Sequence, residues 1–222
     1  MSRRWAELPL WVWSIFGFVS VVLIGLSATA RVPVSLYEAI GFTTGIASVW
    51  LMKVGSWVNW PIGIVNASVY AVLFLNDRLL GDGSLAVFYV ASGFIGWMWW
   101  TVRGPGATPK IRRANPRELW IGTAIALAGA ALLTPYFLHK GDPAPLLDSV
   151  VTAFSVLGQW LLMRRAIENW WLWIAADLVA VPLFWSRNFH LTAILYALYL
   201  VLAVLGLLEW QAQMVRRNAV RP

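Results

Sequence analysis

Asp177 lies inside the apolar stretch Trp173-Ile174-Ala175-Ala176-Asp177-Leu178. An acid among such neighbours is costly to bury and faces a cavity or a partner. It can accept hydrogen bonds from a pair of ligand hydroxyls, carry a proton, or tie one helix to another. Asn66 and Tyr70 are four residues apart in a second apolar stretch, the spacing that puts two side chains on one helical face. An amide and a phenol there hold the polar edge of a ligand, or join helices as polar groups do in lipid. Gln159, beside Trp160, has the same two readings. Among the 16 tryptophans, Trp50, Trp57, Trp60, Trp160, Trp170 and Trp173 are placed to line a cavity. Their rings stack on a flat heteroaromatic ligand and attract a cationic one. Others, such as Trp11, Trp13, Trp99 and Trp210, fall near the ends of apolar runs, where an interfacial aromatic belt explains them.

Covalent and metal chemistry find no foothold. The sequence has no cysteine and two histidines, His139 and His190, without metal-ligand spacing. It has no P-loop, no H-E-x-x-H and no G-x-S-x-G elbow. No catalytic residue, metal site or cofactor is expected, and the chain reads as a binding or transport protein rather than an enzyme.

The elements that must carry these residues are membrane helices. Of 222 residues, 60% are hydrophobic and 12% charged, about half the charged share of a soluble domain, which is roughly 25%. The mean hydropathy of +0.69 agrees. Residues 119–138 contain no charge, enough for a helix to cross the hydrocarbon core. The runs lack the alternation of barrel strands. Eight spans are predicted, at 10–28, 36–53, 57–76, 84–102, 118–138, 146–163, 170–186 and 191–210. The first follows Arg3 and Arg4 and is read as a membrane helix, not a signal peptide. With the N-terminus inside, 13 of the 17 Lys and Arg residues fall on the inner side: Arg3, Arg4, Lys53, Arg103, Lys110, Arg112, Arg113, Arg117, Arg164, Arg165, Arg216, Arg217 and Arg221. Arg31, Arg78, Lys140 and Arg187 remain outside. Such a bias marks the cytoplasmic side, so both termini are expected in the cytoplasm of a bacterial inner-membrane protein. The net charge of +7 then serves anionic lipid head groups, not nucleic acid. Glu38 and Asp148 sit near outer helix starts, where acids suit the dipole.

The two halves repeat at an offset of 110 residues. Glu38 pairs with Asp148, Trp50 with Trp160, Asn59-Trp60 with Asn169-Trp170, and Phe74 with Phe184. Further along, Leu85 pairs with Leu195, Tyr89 with Tyr199, Gly96 with Gly206 and Trp100 with Trp210. The divisions are an N-terminal transmembrane helix (1–30), a first three-helix repeat (36–102), a basic cytoplasmic loop and linker helix (103–145), a second three-helix repeat (146–211) and a cytoplasmic tail (212–222). An odd number of spans per copy needs one helix between them, so the expected fold is all-α, with one N-terminal helix before a 3+1+3 parallel-repeat core. Carriers built on parallel repeats bind their solute where the copies meet.

The segment Trp60-Pro61-Ile62-Gly63-Ile64-Val65-Asn66 with Tyr70, followed by Leu80-Gly81-Asp82 and Gly96-Trp97 with Trp100, resembles the first-half motifs of the PnuC family of vitamin transporters. Gln159, Glu168-Asn169-Trp170, Trp173, Asp177, Pro182, Leu191-Thr192-Ala193, Leu195-Tyr196 and Gly206 with Trp210 resemble those of the second half. The likeness spans residues 36–211. It implies a core similar to that of SWEET sugar transporters and assembly as a homotrimer. It also implies import of nicotinamide riboside by facilitated diffusion, trapped by intracellular phosphorylation. The family's binding positions fall here on Trp60, Asn66, Tyr70, Trp170, Trp173 and Asp177; Gln159 and Tyr196 complete the candidate substrate-binding set. Ala86, Trp99 and Glu209 stand where the family often has Gln, which leaves open a relative's cargo, such as thiamine, riboflavin or a deoxynucleoside. A proton-coupled carrier using Asp177 is the mechanistic alternative.

Overall fold

The computed structural model describes residues 10–29, 31, 35–76, 80–102, 110–142, 144–186 and 190–219. Six of the orienting charges, Arg3, Arg4, Arg78, Arg103, Arg187 and Arg221, lie outside the described residues, as do the side chains of Trp11, Trp13 and Asp82.

Within them the chain forms eight helices and no strand: α1 (Leu10–Ala28), α2 (Leu36–Lys53), α3 (Asn59–Asn76), α4 (Leu80–Thr101), α5 (Pro116–His139), α6 (Pro145–Met163), α7 (Asn169–Ser186) and α8 (His190–Ala219). Local chemistry sets several ends. At the start of α2 the Glu38 N–H donates to Ser35 Oγ (3.1 Å), and the Ser35 N–H donates back to the Glu38 carboxylate (2.9 Å), a reciprocal cap that satisfies two otherwise orphaned groups. Asn115 caps α5 through the Arg117 N–H (3.0 Å), ahead of Pro116. Helix α8 runs on to Ala219, so residues 212–219 of the expected tail continue the helix, and Arg217 donates to the Ile111 carbonyl (3.3 Å).

Equivalent elements recur at the 110-residue offset. Helices α3 and α7 each have 18 residues and start at Asn59 and Asn169. The turns before them bond alike: the Gly55 N–H reaches Met52 O and the Ser56 N–H reaches Leu51 O, while the Arg165 N–H reaches Leu162 O and the Ala166 N–H reaches Leu161 O. Gly55 takes φ +75° and Arg165 φ +51°. Helix α2 packs on α3 and α3 on α4; α6 packs on α7 and α7 on α8. The triplets meet through α2 with α8 and α4 with α6. Helix α1 lies on α2, and α5 lies on α6.

Two kinds of packing hold this together. At the end carrying the α2–α3 and α6–α7 turns, a cluster of Trp60, Trp100, Trp170 and Trp210 with Met52 and Leu162 is buried. Trp100 meets Trp60 edge-on at 5.3 Å and 87°, and Trp210 meets Trp170 at 5.3 Å and 85°. Between α5 and α6, small residues (Ala126, Ala130, Ala153) let the backbones approach, as helix pairs in lipid do. The outer surface is apolar: Trp120 is 77% and Leu132 76% exposed on α5. In water such a face would be costly; in lipid it is the solvated side. Stretches of α5, α6 and α8 are long and apolar enough to cross a membrane by length and composition. Helices α5 and α7 contain Pro135 and Pro182.

Gly96 and Gly206 lie directly under the Trp60 and Trp170 rings, where an added Cβ would fall inside the indole. Gly96→Ala and Gly206→Ala are each expected to cost about 1–3 kcal/mol by overpacking and to lower the melting temperature in detergent. Gly129→Ala, whose added carbon would meet its nearest neighbour at 3.8 Å, is expected to leave it unchanged.

Candidate functional site

Between the triplets lies a cavity of about 580 Å³. Helices α2, α3 and α4 wall one side, and α6, α7 and α8 the other. It reaches the α5–α6 turn at Lys140, Gly141 and Asp142. All eight candidate residues, Trp60, Asn66, Tyr70, Gln159, Trp170, Trp173, Asp177 and Tyr196, line it. Of the six tryptophans read as cavity candidates, Trp50, Trp57 and Trp160 do not. The Lys53 ammonium lies 3.8 Å from the centre of the Trp50 ring, Trp57 stacks on Trp97 at 6.5 Å, and Trp160 packs edge-on to Trp99 at 5.7 Å. Each finds its partner outside the cavity lining.

The polar groups are anchored by specific bonds. Asn66 Nδ2 donates to the Gly41 carbonyl (2.6 Å) and to Thr44 Oγ1 (3.2 Å). Both amide hydrogens are thereby held by α2, and the Asn66 carbonyl oxygen is what the side chain offers a ligand. Helix linkage and ligand presentation are thus one arrangement. Tyr70 packs over Gly41, where an added Cβ would stand 2.9 Å from the ring. Gln159 Nε2 donates to Ser92 Oγ (3.0 Å), tying α6 to α4 below the surface of both helices. Asp177 is 5% exposed and has no hydrogen bond or ion pair among the described residues. The indole N–H groups of Trp60, Trp170 and Trp173 are also buried without an acceptor among them.

The apolar walls are aromatic. Tyr70 stacks on Phe74 at 5.2 Å, Phe74 on Phe184 at 6.4 Å, and Phe184 on Tyr196 at 5.1 Å. Phe74 and Phe184 are repeat mates, so this ladder crosses from one triplet to the other. Tyr89 leans on Trp173 at 6.1 Å. Three acids (Asp142, Asp148 and Asp177) and one base (Lys140) line the space. No group of three His, Cys, Asp or Glu suited to a metal occurs among the described residues. The arrangement suits reversible binding of a flat ring bearing hydroxyl or amide groups.

The residue reading missed Tyr199, Tyr89, Ser155 and Ser48, which also line the cavity. The Tyr199 hydroxyl sits where a Gly45 side chain would be. Its signal was the Tyr89/Tyr199 pair at the repeat offset. Of the three departures from the family pattern, Ala86 lines the cavity, Trp99 is 41% exposed, and Glu209 accepts from Gln213 (2.9 Å) away from it.

Residues 35–212 match the family model described as nicotinamide mononucleotide transporter. The nicotinamide riboside transporter PnuC of Neisseria mucosa is 27% identical over 236 residues, 99% of this chain and 89% of that protein. The PnuC of Escherichia coli strain K12 is 23% identical over 79% of this chain and 85% of its own length. The riboflavin/roseoflavin transporter RibM of Streptomyces davaonensis is 23% identical over 78% and 83%. A solved structure, the crystal structure of the vitamin B3 transporter PnuC, superposes with a TM-score of 0.72 at 24% identity, covering 91% of this chain and 92% of that one.

An ionised carboxylate buried without a partner costs more stability than a neutral amide of the same shape, although the amide is left unpaired as well. Asp177→Asn is therefore expected to raise the melting temperature of the ligand-free protein in detergent, by an amount corresponding to about 1–3 kcal/mol. A fall of similar size would mean that the carboxylate has a partner it needs for folding.

Proposed function

The chain belongs to the nicotinamide mononucleotide transporter family, and from this premise we propose that it imports nicotinamide riboside across a bacterial cytoplasmic membrane by facilitated diffusion, with phosphorylation inside the cell trapping the solute. The observation that carries the reading is the cavity where Asn66 on α3 and Asp177 on α7 are held between aromatic walls. A pyridinium nucleoside matches that cavity in three ways. Its flat cationic ring stacks on an indole such as Trp173, a contact strengthened by charge. Its carboxamide N–H groups match the Asn66 carbonyl oxygen. Its ribose hydroxyls match the Asp177 carboxylate, and hydrogen bonds to charged groups are the stronger kind. Gln159, Tyr70 and Tyr196 border the same space, and Trp60 and Trp170 form its floor.

The architecture proposed with this function is an N-terminal helix (1–30) and a 3+1+3 SWEET-like core, with repeats at 36–102 and 146–211 about the linker region 103–145. The matching Trp60–Trp100 and Trp170–Trp210 contacts support it. So does the charge bias, and in this reading both termini, including 212–222, are cytoplasmic. The apolar outer surface is assigned to lipid and to contacts within a homotrimer. Nucleic acid has no part in this reading.

Ala86 favours a second cargo. It is buried on the cavity wall, and one relative is a riboflavin/roseoflavin transporter. A larger ring system such as riboflavin is the competitor to measure.

In proteoliposomes, saturable uptake of labelled nicotinamide riboside is expected, unaffected by an imposed pH gradient. Asn66→Ala and Asp177→Asn are each expected to reduce it roughly 10-fold or more, the scale of one lost hydrogen bond to a polar or charged group. Saturable uptake of riboflavin with none of the riboside would move the substrate. Uptake driven by the pH gradient and abolished in Asp177→Asn would make the protein a proton-coupled carrier.

A further inference from the structure

Arg165, in the α6–α7 turn, is 6% exposed and has no carboxylate partner among the described residues. Its guanidinium carbon lies 4.7 Å from the centre of the Trp100 ring and 5.2 Å from that of Trp210. These two rings come from equivalent places in the two triplets. Each also reaches across to the other triplet: Trp100 Nε1 donates to the Met163 carbonyl (2.9 Å) and Trp210 Nε1 to the Lys53 carbonyl (3.0 Å). The two indoles in turn press edge-on against Trp60 and Trp170, which line the cavity. The guanidinium thus lies beneath the cavity floor, between the two halves.

The repeat is broken at this position. The mate of Arg165 is Gly55, and a Cβ added there would stand 2.5 Å from Arg165 Nη2. One half supplies a long cationic arm and the other the hollow that receives it. The arrangement carries costs that a purely structural turn would shed. Arg165 takes φ +51°, a conformation uncommon for a residue with a Cβ. Its Nε is buried without a partner, and burial lowers its pKa to about 10, so the group remains charged at neutral pH. It is held by a short parallel bridge: the Arg112 N–H donates to the Arg165 carbonyl (3.0 Å) and the Ile167 N–H to the Arg112 carbonyl (3.0 Å). Strain that persists under such restraint gathers at sites that switch. The guanidinium exchanges hydration for two ring faces, an exchange that withdrawal into water would reverse.

We propose that Arg165 is a positioning residue that bolts the basic end of the cavity: it clamps Trp100 to Trp210, and cargo passes that end only when the guanidinium has withdrawn from the pair. Its planar cation suits two ring faces as an ammonium does not. The inference rests on the transport reading, but its test uses no cargo, so failure to carry nicotinamide riboside would leave the result interpretable.

The chain has no cysteine, so Ser155→Cys on the cavity wall provides a single reporter. It is labelled in sealed vesicles with a charged, membrane-impermeant methanethiosulfonate applied from one face at a time. From the face bearing the α2–α3 and α6–α7 turns, labelling is expected to be slow in this parent. Adding Arg165→Ala should make it roughly 10-fold faster, the scale of a desolvated cation–π contact. Arg165→Lys should fall between, and labelling from the opposite face should not rise. Gly55→Ala, which crowds the guanidinium and strains a φ of +75°, should act in the same direction and serves as the test if Arg165→Ala does not fold. Parent-rate labelling from the basic face in all folded variants overturns the proposal. So does equal acceleration from both faces, which would mark general loosening rather than an opened end.

Discussion

Two indole hydrogen bonds fasten the halves of this protein to one another. Trp100 on α4 reaches the last turn of α6, and Trp210 on α8 reaches the last turn of α2. The carbonyls they bind, of Met163 and Lys53, belong to helix C-terminal turns, where backbone acceptors lack partners within the helix. In a membrane an unmet carbonyl is expensive, so a single donor both satisfies a helix end and cross-links the triplets. The neighbouring contacts follow from this. Trp60 and Trp170 can lie across Gly96 and Gly206 because those positions carry no side chain. The rings close one end of a space that reaches the α5–α6 turn.

The floor obeys the repeat, as do Phe74/Phe184, Leu85/Leu195 and Tyr89/Tyr199 in the walls, while several facing positions of α3 and α7 depart from it. At the floor, Asn59, Trp60, Gly96 and Trp100 have identical mates in Asn169, Trp170, Gly206 and Trp210. At four positions of α3 and α7 that line the cavity the mates diverge: Asn66 pairs in sequence with Ala176, Ala67 with Asp177, Tyr70 with Ala180, and Gly63 with Trp173. Identical copies would offer a ligand the same groups twice. These copies offer an amide and a phenol from one side and an indole and an acid from the other. A ligand with a ring at one end and hydroxyls at the other then has one preferred orientation, because each end finds its own chemistry.

Much of this was legible in the residues. Apolar runs broken by charge located eight helices within about four residues of their observed ends, because lipid demands long uninterrupted helices, except that α8 runs past the expected 210 to Ala219. The 110-residue offset placed Asn66 and Asp177 in equivalent helices, and both line the common cavity. Ring placement was harder to read. Trp50 and Trp160 lie on helices whose 3.6-residue turn directs them to other neighbours, and Trp57 lies in the turn before α3; composition carries no such direction. Tyr199 was hidden for a related reason: its place depends on Gly45, a residue distant in sequence whose missing side chain makes the room. Arg165 read simply as one more positive-inside charge. Its burial between Trp100 and Trp210 depends on three segments meeting, which no local pattern encodes.

Helix α7 contains Pro182 where α3 has Val72. Proline has no N–H, so the rung to the Leu178 carbonyl is missing one residue beyond Asp177. A helix short of a rung flexes there at lower cost than an unbroken one. The duplicated triplets are therefore mechanically unequal: the arm bearing the acid is the more pliant, and the arm bearing the amide is the stiffer rail against which it bends.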